Sequence, residues 1–258
     1  MIEIFGVSLR IAQQTLIAPL DMCWQAGQVS AIVGPNGAGK SSLLSMLSTQ
    51  QRASSGSIYI NGRHTGSYSA AELACCRAVM PQSSQVAFDF RVHEVVQLGR
   101  YPHRLLPSHD ESEICVRAMG LTQVGHLAQR AFNTLSGGEK ARVHLSRALA
   151  QIWEPQPSLG HRWLLLDEPT AALDIAHQHA VMQTIRHWAT QEGVGVIAVV
   201  HDLNLALRYA DHVSVLKAGH CAAAGSTATT LTPALVHDVW GVSCSLTHSP
   251  CGFPYLMI

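Results

Sequence analysis

Three separated groups of residues in this 258-residue sequence have side chains and spacings suited to phosphate chemistry. The first, Gly34-Pro35-Asn36-Gly37-Ala38-Gly39-Lys40-Ser41, fits the pattern G-x-x-x-x-G-K-[ST] and runs on into Ser42. Glycines let such a backbone curl so that its N–H groups point at phosphate oxygens, and a following helix adds its positive end. Lys40 is placed to reach β- and γ-phosphates, and the Ser41 hydroxyl to bind Mg²⁺. The second group is Asp167-Glu168. Asp167 is expected to orient Mg²⁺ through its water shell. Glu168 is expected to stand over the terminal phosphate and polarise an attacking water, a general-base role typically worth about 10²–10⁴-fold. The third is Leu135-Ser136-Gly137-Gly138-Glu139. Two glycines after a serine, opening a helix expected to start near Glu139, make a second anion site from backbone N–H groups.

These groups need elements to hold them. Val29–Val33 ends at Gly34, Trp163–Leu166 ends at Asp167, and Val194–Val200 ends at His201. Short continuous apolar runs indicate strands buried on both faces of a parallel sheet. Ligands of such sheets bind beyond the carboxyl ends of the strands, so the three runs converge on one site. Ile2–Leu9 and Ser57–Ile60, the latter followed by the turn signal Asn61-Gly62, predict a β-rich N-terminal part. Helical spacing recurs in Glu94–Leu98, Glu111–Met119 and Lys140–Trp153. Loops are expected at Tyr101-Pro102, Leu106-Pro107-Ser108 and the proline-bearing stretch 154–160. Residues 83–153 therefore read as a helical insert in an α/β core formed by 1–82 and 154–258.

Composition narrows the function classes. Lys+Arg and Asp+Glu balance at 17 each, which argues against nucleic acid as the main partner. No apolar run approaches the roughly 20 residues of a membrane span. No cationic segment precedes a long apolar one near the N-terminus, so no signal peptide is expected. Seven cysteines without a C-x-x-C pair suggest reduced thiols. His177 and His179 stand two apart on a predicted helix and so point to different sides, which excludes joint chelation from a regular helix. Cys244, Cys251 and His248 show no metal-ligand spacing.

With Leu135-Ser136-Gly137-Gly138-Glu139 added to the phosphate loop, the sequence resembles the ATP-binding-cassette ATPases, whose signature motif this is. The resemblance covers nearly the whole chain. It implies a P-loop NTPase (RecA-like) α/β core with an antiparallel β layer and an inserted α-helical subdomain. It implies ATP and Mg²⁺ as ligands, and a head-to-tail homodimer in which the signature of one copy caps the γ-phosphate held by the other. Gln82 matches the glutamine that senses Mg²⁺ and the attacking water. Ala171-Ala172-Leu173-Asp174 matches the loop that touches the opposite subunit, and His201 the histidine that hydrogen-bonds the γ-phosphate. Val92-His-Glu-Val-Val-Gln-Leu-Gly-Arg-Tyr-Pro-His103, Ala150-Gln-Ile-Trp153 and Asp174–Val181 resemble the importer branch for iron chelates, haem and vitamin B12, with haem-import subunits nearest. That implies an integral-membrane permease dimer as partner, a periplasmic substrate-binding protein acting indirectly, and a peripheral position on the cytoplasmic face of the bacterial inner membrane. No direct haem contact is expected. A soluble cassette ATPase is the alternative class.

Two further expectations attach to this resemblance. The family commonly stacks adenine on an aromatic residue, whereas Ser8-Leu-Arg-Ile-Ala12 has none, which leaves Leu9 or Ile11 to pack on the base. Residues from Ser83 to about His103 are expected to receive a cytoplasmic helix of the permease. Val86–Phe90 would supply apolar area there, and Arg91, Arg100 and Arg104 polar anchors.

Overall fold

The computed structural model describes residues 1–82, 88–105, 107–250 and 252–258. The first layer is an antiparallel sheet ordered β2-β1-β4-β5, from β1 (Ile2–Ile11), β2 (Gln14–Trp24), β4 (Ser55–Ile60) and β5 (Arg63–His64). Asn61 and Gly62 form the β4–β5 turn, with φ of 53° and 76°. Two successive positive φ values match the twist of the flanking strands, which is why Asn-Gly suits this turn.

The second layer is a six-stranded sheet ordered β10-β9-β3-β8-β7-β6. It contains β3 (Val29–Val33), β6 (Arg77–Met80), β7 (Trp163–Asp167), β8 (Gly195–Val199), β9 (His212–Lys217) and β10 (His220–Ser226). All neighbours are parallel except β9 and β10. The continuous apolar runs are explained by burial on both faces. Trp163, Leu165, Ile197 and Val199 point into a core shared with the antiparallel sheet and with α1 (Lys40–Leu47). Leu164, Leu166, Val196 and Ala198 point to the opposite core, against α6 (Ile175–Glu192) and α7 (Leu203–Tyr209). Trp163 is fully buried, and its indole N–H donates to Asn61 Oδ1 at 3.1 Å.

The helices α3 (Val92–Gln97), α4 (Glu111–Leu121) and α5 (Gly137–Gln151) pack into that second core, which runs on from the sheet without a break. The far end of α5 is tied down from several sides. Gln151 Nε2 donates to the carbonyls of Ala74 at 2.8 Å, in α2 (Ala70–Cys76), and Arg77 at 3.1 Å. Arg77, itself buried, donates to Leu47 O at the end of α1 (3.1 Å) and to Thr49 Oγ1 (3.2 Å). Arg100 reaches Ala150 O at 2.8 Å, and His103 Nε2 lies 2.8 Å from Gln151 O.

Several local expectations need correction. Tyr101-Pro102 is not an open loop; it lies in a 3₁₀ turn, Leu98–His103, wound down by the Arg100 and His103 anchors. The helix expected near Glu139 is present and begins at Gly137, capped by Ser136. Arg100 is 7% exposed and bonded to Glu111, Glu154 and Ala150 O, so it is no surface anchor. Phe90 packs against the core while Phe88 is 71% exposed. Leu106 and the span 83–87, with Val86 and Ala87, lie outside the described residues. No helix among the described residues is long and apolar enough to cross a membrane.

Candidate active site

The carboxyl ends of β3, β7 and β8 open onto one cavity of about 870 Å³. Asn36, Gly37, Gly39, Lys40, Ser41 and Ser42 line its floor, with Gln82, Glu168 and His201 on one side. The chain between β3 and α1 must run close to its neighbours. A Cβ on Gly34 would stand 2.2 Å from Leu216 O, and one on Gly39 would stand 2.3 Å from Ile17 Cδ1. Gly39 has φ 98° and precedes the first helical residue, so the free N–H groups of the first turn of α1 face the cavity. Ala38 is buried behind the loop, its carbonyl accepting from Gly219 N at 3.1 Å.

Lys40 curls back over this loop, its ammonium donating to Gly34 O at 2.8 Å and Pro35 O at 3.0 Å. Burial pulls its pKa below the ordinary lysine value, against the opposing pull of Glu168 and Asp167. Ser41 Oγ donates to Asp167 Oδ1 at 3.0 Å. Burial raises the Asp167 carboxyl above the ordinary aspartate value, more than the Ser41 hydrogen bond lowers it. Glu168 has both oxygens engaged: Oε1 lies 2.6 Å from His201 Nε2, and Oε2 accepts from Gln82 Nε2 at 2.8 Å. Burial alone would push its carboxyl up. The hydrogen bonds from His201 and Gln82, with the charges of His201 and Lys40, outweigh that and hold it below the ordinary glutamate value. Glu168 also sits at φ 53°, an uncommon backbone conformation for a non-glycine residue and one that clusters at functional sites.

The remaining sequence-predicted residues lie elsewhere. Ser136 Oγ accepts from Glu139 N at 3.2 Å, and Glu139 Oε2 accepts from Ser136 N at 2.7 Å, a reciprocal capping box. The N–H groups of Gly137 and Gly138 fall in the first turn of α5, where no intrahelical partner exists. Gly138 packs against the loop before α6, where a Cβ would meet Ala172 O and Leu173 Cδ2 at 3.1 Å. Asp174 caps α6, accepting from His177 N at 2.9 Å. None of Ser136–Glu139 or Asp174 is among the described residues lining the cavity. His177 Nδ1 turns to Asp174 and His179 Nδ1 to the Tyr209 hydroxyl, each at 2.8 Å. No cluster of metal-ligating side chains occurs among the described residues.

Sequence reasoning missed the opposite wall of the cavity: Gln14, Thr15, Leu16 and Ala218. The start of β2 is held there by the β9–β10 turn, where Ala18 N donates to Gly219 O at 2.9 Å and a Cβ on Gly219 would stand 2.6 Å from Leu16 O. Of the two side chains expected beside a base, Leu9 is 2% exposed and packed between the sheets. Ile11 is 52% exposed and pairs across the hairpin with Gln14, so the two side chains share a face.

Comparison with known proteins agrees with this geometry. The pattern of the ABC transporter family matches residues 17–171. The chain is 44% identical over 251 residues to the hemin import ATP-binding protein HmuV of Gloeobacter violaceus, covering 97% of this chain and 90% of that one. It is 40% identical over 258 residues to HmuV of Pseudomonas entomophila, covering 100% and 99%. Among solved structures it resembles an inward-facing metal-chelate type ABC transporter, with a TM-score of 0.80, 22% identity and coverage of 100% and 97%. It also resembles the dimeric cassette MJ0796 bound to ADP and phosphate, with a TM-score of 0.76, 24% identity and coverage of 88% and 99%. With a phosphate loop, two carboxylates and a capped Ser-Gly-Gly helix on one scaffold, and with relatives matched over almost their whole length, the chain belongs to the ABC transporter family as one of its ATP-binding cassettes.

Proposed function

We propose that this chain is the ATP-hydrolysing subunit of a haem importer, working as a homodimer on the cytoplasmic face of the bacterial inner membrane. It drives an integral-membrane permease dimer that receives cargo from a periplasmic binding protein. The cargo rests on the 40–44% identity to hemin import subunits. The dimer rests on one observation: the phosphate cavity gathers Lys40, Ser41, Gln82, Glu168 and His201 but none of Ser136–Glu139. Two sets of backbone donors for one nucleotide, only one of them lining the cavity, are reconciled when the signature of a second copy closes it.

Within that dimer, Lys40 exchanges its two carbonyl partners for phosphate oxygens, a charge-assisted bond. Ser41 and Asp167, with the Gln82 amide oxygen left over once its nitrogen binds Glu168, form a set of hard oxygen donors of the kind Mg²⁺ takes. When bound, that ion neutralises phosphate charge. Glu168 frees one oxygen to accept a proton from the attacking water. His201 holds the carboxylate in place and contacts the γ-phosphate. The N–H groups of Gly137 and Gly138, with Ser136, Glu139 and Asp174 around them, complete the other copy's site.

Affinity purification of the chain from detergent-solubilised membranes should bring down a polytopic permease. A strain lacking the protein should fail to grow on haem as sole iron source yet grow on free iron. Normal growth on haem, with no redundant importer, would reject haem and leave another iron chelate or vitamin B12.

A further inference from the structure

The helix that follows His201 carries a load that the catalytic chemistry does not explain. β11 (Ser245–His248) and β12 (Pro254–Met257) pair antiparallel with each other and, among the described residues, with no other strand. A two-stranded hairpin alone is marginal at best in water, so what it rests on decides its place. It rests on α7. Asn204 Oδ1 accepts from Leu256 N at 2.7 Å, and Asn204 Nδ2 donates to Leu256 O at 3.2 Å. One carboxamide thus meets both backbone groups of one residue, as a neighbouring strand would. The Leu256 side chain is buried in the core that also holds Leu205, Ala206 and Tyr209. The Arg208 guanidinium lies 4.6 Å from the centre of the Phe253 ring, a cation–π contact.

His201 takes its footing on the same helix. On the strand side, Val200 N donates to Ile32 O at 3.1 Å and fixes the backbone there. On the helix side, Asp202 Oδ1 accepts from Asn204 N at 2.7 Å and from Leu205 N at 3.2 Å. Asn204 therefore joins the cap of α7 to the hairpin, three residues from His201. The His201 side chain is 44% exposed and, among the described residues, makes its one side-chain hydrogen bond to Glu168 Oε1. With so little holding the ring itself, its place is set by the backbone beneath it. Asn204 does not line the phosphate cavity, so any effect it has on hydrolysis travels through its neighbours.

We infer that Asn204 is a positioning residue for hydrolysis: it pins the hairpin to α7 and so steadies the turn that carries His201. The inference rests on His201 contacting the γ-phosphate, as proposed above.

The test is a double-mutant cycle on single-turnover ATP hydrolysis by the purified transporter in detergent, with nucleotide affinity read by titration. Asn204→Ala should slow hydrolysis about tenfold to a hundredfold and leave affinity within about twofold, because the loss falls on the orientation of a reacting group. Added to His201→Ala, the same substitution should change the residual rate less than about twofold, since the side chain it orients is gone. Asn204→Asp keeps an acceptor for Leu256 N and should recover part of the rate. Amide hydrogen exchange at Leu256 should quicken in Asn204→Ala whether or not His201 is present. An undiminished rate in Asn204→Ala, unchanged exchange at Leu256, or an equal loss of rate with and without His201 would each overturn the inference. Full turnover by His201→Ala with Asn204 intact would instead bring down the role of His201 itself, a distinct failure that removes the inference with it.

Discussion

Glu168→Gln isolates the chemical step because the structure accommodates the amide with no change of partners. In the wild type both carboxylate oxygens accept, one from His201 and one from Gln82. A glutamine carbonyl keeps the bond from Gln82. Its NH₂ then faces His201 Nε2, which becomes an acceptor in the alternative tautomer. No buried group is left unsatisfied, so the melting temperature should stay within a few degrees. What disappears is the charge and the proton acceptor. Against burial, which raises it, His201, Gln82 and Lys40 together hold the wild-type carboxyl below the ordinary glutamate value. The amide cannot take the water proton at any pH. A general base is worth about 10²–10⁴-fold, or roughly 3–5.5 kcal/mol of barrier at 1.36 kcal/mol per tenfold. Single-turnover hydrolysis by the purified transporter should slow by that factor, while nucleotide affinity by titration changes less than threefold. ATP-bound dimer should accumulate and be visible by light scattering. A variant retaining more than a tenth of wild-type turnover would refute Glu168 as the base. A variant that lost nucleotide affinity in proportion would refute the claim that its partners carry over.

Three further outcomes are expected. In mixed dimers with Lys40→Ala on one chain and Ser136→Arg on the other, pairing between copies puts both lesions in one site and leaves the other intact, so half the turnover remains; two damaged sites would contradict the composite site. Phe88→Glu, at an aromatic ring 71% exposed, should leave the isolated subunit's ATPase unchanged and abolish co-purification of the permease, whereas unimpaired assembly would remove Phe88 from the docking surface. Hydrogen bonds from Arg100 hold Glu111 below its ordinary pKa of 4.5, so its contribution is present above that value and lost as pH falls through the lower folded-state value. Glu111→Gln should therefore melt below wild type at pH 7, with the gap closing in acid, and a gap that stayed constant would show the pair adds no pH-dependent stability.

What the sequence conveys about this fold depends on how local each signal is. Val29–Val33 and Trp163–Asp167 are legible because both faces of each strand are buried, so all their residues but Ser30 and the terminal Asp167 are apolar. Asn61-Gly62 is legible because the turn demands two positive φ values. The phosphate loop is legible because its function lies in contiguous backbone. Leu9 and Ile11 were not separable, because β1 carries register shifts between Ile4 and Val7, Val7 and Leu9, and Leu9 and Arg10. Each shift resets the alternation that would say which side chain faces inward. Arg100 reads as a surface cation until Glu111, Glu154 and the Ala150 carbonyl are brought to it from 11, 54 and 50 residues away. Gln14, Thr15 and Leu16 join the cavity through the distant β9–β10 turn, and nothing in their own identities announces it.

The knot of bonds at the end of α5 has a mechanical consequence. Helix α1 carries phosphate donors at its start, and α5 carries the signature donors at its own start. Their opposite ends meet through Arg77, which grips Leu47 and whose carbonyl is gripped by Gln151. The two rods are thus riveted at the tail, while at the tip the start of α5 rests on the loop before α6 through Gly138. At about 1.5 Å per residue, the fifteen residues of α5 make a lever of roughly 22 Å. A swing of about 10° around the rivet carries Ser136 through about 4 Å, roughly the difference between a hydrogen bond and open solvent. Small adjustments near the rivet, where side chains are buried and densely bonded, are therefore magnified at the tip, where the Ser-Gly-Gly turn stands.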